Sequence, residues 1–190
     1  AMIEAAAQLT QALGILAGVP AGPDRDQKEL DLQIALGAAL IATKGWAATE
    51  VEKAHARARE LCTEESQFPQ LLAALSGLFQ HHLHWSSKLV ALEIAGELLH
   101  LAERRQDIAA QGVGHRCLTA GLLFNGQLLP AMMHCERALA LYDPAHRASP
   151  VNLSGPDTRV ASLLFMSLIL LLQGYPDRAV AWGQESLKLA

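Results

Sequence analysis

The stretch Gly126-Gln-Leu-Leu-Pro-Ala131-Met-Met-His-Cys-Glu-Arg-Ala138-Leu139-Ala-Leu141 has a counterpart in Gly174-Tyr-Pro-Asp-Arg-Ala179-Val-Ala-Trp-Gly-Gln-Glu-Ser186-Leu187-Lys-Leu189. Each begins on glycine, places a small residue five positions later and another at twelve, and carries leucines at thirteen and fifteen. The same frame fits Ser86, Ala91, Leu98, Leu99 and Leu101, and more loosely Trp46, Val51, Ala58 and Leu61. The anchors Trp46, Ser86, Gly126 and Gly174 are spaced by 40, 40 and 48 residues, and the extra eight fall in the loop-like stretch Asp143 to Pro156. Glycine lets a chain turn tightly, and small residues let two antiparallel helices approach closely. A unit of this size cannot bury its apolar face alone, so it stacks on its neighbours.

Composition agrees. The 190 residues hold 33 Ala and 34 Leu but only 7 Val, 7 Ile and 6 Thr, and aromatics are 5%. Alanine and leucine favour helices, whereas strands favour β-branched and aromatic residues. Punctuation then divides the chain. Helices are expected over Glu4–Leu16, Asp24–Ile41 and Thr49–Cys62, the last capped by Thr49 with Glu52 completing a capping box. Pro69 opens one to about Leu83, the next covers about Ser86 to Glu103, and Asp107 opens one ending near Asn125. Pro130 sits in the first turn of a helix to Tyr142, and two more follow, about Asp157 to Gln173 and from Pro176 onward. The expected fold is all-α: about nine helices in a right-handed superhelical array of antiparallel pairs, one domain spanning 1–190.

The frame resembles the second-helix half of the tetratricopeptide repeat, in a longer-period form. Leu30-Asp-Leu-Gln-Ile-Ala-Leu-Gly-Ala-Ala-Leu-Ile-Ala-Thr-Lys-Gly-Trp46 with Glu50–Cys62, Ala138–Pro144 with His146, and Leu171–Ala179 narrow the resemblance. They are similar to the repeat region of bacterial multidomain proteins that pair a class III adenylate/guanylate cyclase domain with a predicted ATPase. Asn152–Val160 departs from that family's pattern, and His81-His82-Leu83-His84 replaces a more aromatic stretch. The resemblance implies a non-catalytic scaffold or regulatory module of a signalling protein, whose partner is a peptide, a protein or other domains of its own chain. Partners dock on the concave face of such arrays, and the repeat frame carries Gln33, Gln80, His84 and Arg116 to that face. The alternative is an effector-sensing domain like that of maltose-regulator-type activators, which needs an enclosed pocket with converging polar groups.

The sequence carries few signatures of chemistry. There is no Gly-x-x-x-x-Gly-Lys-Ser/Thr phosphate loop, no Gly-x-Ser-x-Gly elbow and no His-Glu-x-x-His zinc helix, so no catalytic residue and no cofactor is expected. Gly112-Val-Gly114 lies within a helical stretch and carries no dinucleotide signal. Two histidine groups have metal-ligand chemistry. His81 and His84 share a helix face at i,i+3 while His82 points elsewhere, which supplies two ligands and reads as a helix-end cluster. His115 and Cys117, brought beside His134 and Cys135 by the turn at Gly126, form the second; packing is the simpler account, and no metal is expected. Net charge is −4, without the basic excess of a nucleic-acid binder.

The apolar run Leu163–Leu172 is too short to span a bilayer and reads as a buried helix. No signal peptide opens the chain, and three widely spaced cysteines, Cys62, Cys117 and Cys135, read as free thiols of a cytoplasmic protein. Leu187–Ala190 stops in mid-pattern, as a piece of a longer chain would. Its uncovered apolar end predicts pairing of two copies through the terminal helices.

Overall fold

The computed structural model describes residues 1–63, 67–85, 87–146 and 157–189. The repeat anchor Ser86 and most of the Asp143–Pro156 stretch lie outside them. Among the described residues there are nine α-helices and no strand: α1 Met2–Leu16, α2 Pro23–Lys44, α3 Thr49–Leu61, α4 Phe68–His84, α5 Lys88–Arg104, α6 Ile108–Phe124, α7 Leu128–Ala140, α8 Thr158–Leu172 and α9 Pro176–Leu189. The helices fall into two compact units, Ala1–Ser87 and Lys88–Ala190.

In the first unit each helix packs on the next, and α2 also packs on α4. Its core gathers Leu30, Ala58, Leu61 and Ala74, with Ile34 and Cys62 against them. The second unit repeats this arrangement: each helix packs on the next, and α6 also packs on α8. Its core joins Leu123, Ala131, Cys135, Met166, Ile169, Leu170 and Ala179, flanked by Trp182 and Phe165.

The repeat frame coincides with burial. Val51 and Ala58 on α3, Ala91 and Leu98 on α5, Ala131 and Ala138 on α7, and Ala179 and Ser186 on α9 are all at most 5% exposed. Where serine replaces alanine, at Ser186, its hydroxyl donates to the Val160 carbonyl of α8 at 3.0 Å. The positions at five and twelve are therefore the lines along which α3, α5, α7 and α9 seat on their neighbours.

The corners between helices share one backbone device. Gly126 and Gly174 take φ of 78° and 86°. The following N–H groups, of Gln127 and Tyr175, reach back to the carbonyls of Leu122 and Leu170 at 2.9 Å each. This is the left-handed helix ending that glycine favours. The α5–α6 corner closes the same way on Gln106, at φ 55°, with Asp107 N–H donating to the Ala102 carbonyl at 3.1 Å. Asp107 then caps α6 by accepting from Ala110 N–H at 2.9 Å, and Asp157 caps α8.

Two expectations change. The N-cap of α3 is Ala48, without a side-chain cap bond; Thr49 is already helical, and no capping box forms. Glu52 turns instead toward His81 and His82 of α4. The apolar run of α8 is only partly covered among the described residues: Leu163, Met166, Ile169 and Leu170 are buried, while Leu164, Leu171 and Leu172 are exposed. No helix of the described residues is long and apolar enough to cross a membrane.

Candidate functional site

In the first unit the histidines converge on α3. His81 is buried; its Nδ1–H donates to the Trp46 carbonyl at 3.0 Å, and its Nε2 lies 3.4 Å from Glu52 Oε2. His82 Nε2 lies 3.9 Å from the other oxygen, Oε1. Burial holds His82 below the ordinary imidazole pKa against the opposing pull of Glu52, and neighbouring His81 adds to the lowering. His84 is exposed and binds its own helix, Nδ1–H donating to the Gln80 carbonyl at 2.8 Å. The i,i+3 pair His81 and His84 therefore does not form, and the carboxylate of Glu52 brings together the adjacent His81 and His82.

His55 of α3 faces inward between α2 and α4. The residue is 4% exposed, and neither ring nitrogen has a hydrogen-bond partner. Glycine makes its place: a Cβ at Gly37 would lie 2.5 Å from His55 Nε2, and one at Gly77 would lie closer still. Burial pushes the His55 pKa down to about 4, so the ring is neutral at pH 7. Nearby, Glu29 of α2 accepts from Arg57 Nε of α3 at 2.6 Å and lies 3.5 Å from Arg25. The hydrogen bond from Arg57 holds the Glu29 carboxyl below its usual range, against the effect of burial. Arg57 also donates to Glu60, one turn further along α3, at 3.1 Å.

In the second unit His115 of α6 and His134 of α7 meet, Nδ1 to Nδ1, at 2.8 Å. Burial, then the charges of His134 and Arg137, lower the His115 pKa to about 4; burial also lowers His134. The cysteines of that group do not join them. Cys117 and Cys135 are fully buried, and Cys135 Sγ–H donates to the Ser162 carbonyl at 3.0 Å. All three cysteines are free thiols. Among the described residues no three His, Cys, Asp or Glu side chains are placed to enclose a metal ion.

The groove residues differ in exposure. In the first unit Gln33 is half-buried, Gln80 buried and His84 exposed; in the second, Arg116 is buried, its Nε without a hydrogen-bond partner. Gly114, which carries no motif in the sequence, has a packing role: a Cβ there would come 2.8 Å from Leu99 Cα, so it is where α5 and α6 touch backbone to backbone. An open hollow of ≈ 600 Å³ lies beside the α1–α2 turn, lined by Leu16, Val19, Pro20, Asp24, Arg25 and Lys28. No family model, curated protein or solved structure matches the chain.

Proposed function

We propose that this chain is a non-catalytic helical-repeat module that binds a peptide, a protein partner or neighbouring domains of a bacterial cyclase- or ATPase-linked signalling protein. One observation carries the reading: the two small or apolar anchor positions of the sequence repeat are buried in all four helices that bear them. A chain whose repeat fixes helix-to-helix seating spends its sequence signal on building a scaffold, and the faces left over are free to vary toward a partner. The packing of α2 on α4, and of α6 on α8, supports a stacked array of pairs. Gln33 and His84, the members of the groove set that reach solvent, are the side chains through which the first unit touches its partner. The effector-sensing alternative calls for an enclosed pocket, and the hollow beside the α1–α2 turn is open.

The test is a titration of the purified chain with the cyclase and ATPase domains of such a protein, read by fluorescence anisotropy. Saturable binding weakened by paired Gln33→Ala and His84→Ala substitutions is expected, with no ATP or GTP turnover above a buffer blank. Turnover that copurifies with the chain and disappears on a point substitution in it would overturn the proposal.

A further inference from the structure

We propose that His115 and His134 form an open two-imidazole site for a divalent transition-metal ion, best suited to copper(II), with water completing the coordination. The two ligands come from different helices packed side by side, so 19 residues of separation collapse to one contact of 2.8 Å. Metal–imidazole bonds are about 2.0–2.1 Å long, so neighbouring corners of a tetragonal ion place two nitrogens about 2.8–3.0 Å apart. Tetrahedral geometry asks for about 3.4 Å, also from bonds of that length. The present spacing is that of an N–H···N hydrogen bond and shows that the two nitrogens reach the separation a tetragonal ion needs; copper(II) is the divalent ion that imidazole sites bind most tightly.

The rings now face one another head-on, their centroids 5.1 Å apart and their planes at 39°. In that contact one Nδ1 carries the hydrogen and the other accepts it. Metal binding needs both Nδ1 lone pairs, so the hydrogen moves to Nε2 of the same ring and no proton leaves the pair. Neither Nε2 has a hydrogen-bond partner among the described residues, so the exchange breaks no other contact. Each ring must also swing until the lone pairs converge, and both side chains are only half-buried, which leaves room for that movement and for the waters. The cysteines add nothing: Cys117 and Cys135 are turned into the core, so the site stays all-nitrogen and open. One neighbour opposes the ion. Arg137 lies close enough for its charge to be felt at His115.

Copper(II) alone, added to the full chain in a non-coordinating buffer and followed by electron paramagnetic resonance and chelator competition, tests the site. One equivalent per chain with a two-nitrogen tetragonal signature is expected. His115→Ala or His134→Ala should each weaken it at least tenfold, His100→Ala at an exposed position should leave it unchanged, and Arg137→Gln should tighten it. The nitrogen count on the unsubstituted chain holds whether or not a variant folds. Copper scattered over the exposed histidines without that signature, or an unchanged spectrum after either substitution in the pair, would mean adventitious binding only and overturn the proposal.

Discussion

The imidazole of His55 occupies the space that a side chain on Gly77 would need, with Gly37 bounding it on the other side. Alanine is normally the better helix residue by about 1 kcal/mol. Here Gly77→Ala should reverse that sign and cost about 1–3 kcal/mol, because the new methyl overlaps a ring with nowhere to go. In a His55→Ala background the same change should cost less or become favourable. Urea denaturation of the four proteins of the cycle measures the coupling; additive effects would show that ring and helix do not meet.

Acid should act through the same ring. A neutral imidazole with a folded pKa of about 4 binds fewer protons than its unfolded counterpart near 6.5. Between those values the unfolded state takes up more protons, so the contribution of this ring to stability falls as pH drops from about 6.5 toward 4 and levels off below. His55→Met should flatten part of this slope in thermal melts across that range, and only part, since His115 is shifted the same way. An unchanged slope would count against the assignment.

Much of the fold was legible in the sequence because its signals are local. Asp107 and Asp157 cap helices as their positions suggested, and the glycine turns close where the repeat placed them. The anchors were readable because a small residue is legible at any helix contact. Partnerships across helices were not. The spacing of Thr49 and Glu52 satisfied a capping box, yet Glu52 has a stronger claim on it from His81 and His82, which arrive 29 and 30 residues later. His81 and His84 share a face by periodicity, but a carbonyl at Trp46 takes one and the helix's own backbone takes the other. The roles of Gly37, Gly77 and Gly114 have no local signature, because what each accommodates lies on another helix.

The thiols should separate by reactivity. Burial raises all three, Cys135 up to about 12, and Cys117 and Cys135 are sealed in the core. The reactive form is the thiolate, which also needs access. Ellman's reagent should therefore modify Cys62 alone in the native chain, slowly, and all three thiols in guanidinium. Rapid native modification of Cys135 would contradict its placement.

Glu29 joins α2 to α3 through Arg57. Its depressed pKa means that the stabilisation is present above the unfolded carboxyl value and is lost as pH falls through the folded one. Glu29→Gln should cost about 1–2 kcal/mol, the lower part of the scale of a hydrogen bond to a charged group, because the Arg57 side chain is partly exposed and screened. Chemical denaturation at pH 7 and at pH 3 checks both statements: the difference between the variant and the parent should shrink in acid.

Val180 and Leu187 lie seven residues apart on one face of α9 and are 58% and 80% exposed; Leu171 and Leu172 at the end of α8 are exposed as well. Pairing of two copies through these helices predicts a mass that rises with concentration in sedimentation velocity. Val180→Glu with Leu187→Glu should hold the protein monomeric without lowering its melting temperature. A single monomeric species at millimolar concentration would dismiss the pairing.

The hydrogen bond from His81 to the Trp46 carbonyl spans 35 positions of sequence. The α2–α3 turn thus cannot reach its final form by local folding; it waits for α4 to dock. Contacts of such separation must overcome more loop-closure entropy than helical turns and form after them. Amide hydrogen exchange at the start of α3 should accordingly follow the opening of α4 as one cooperative event, making the small turn at Trp46 a reporter of whether the fourth helix is in place.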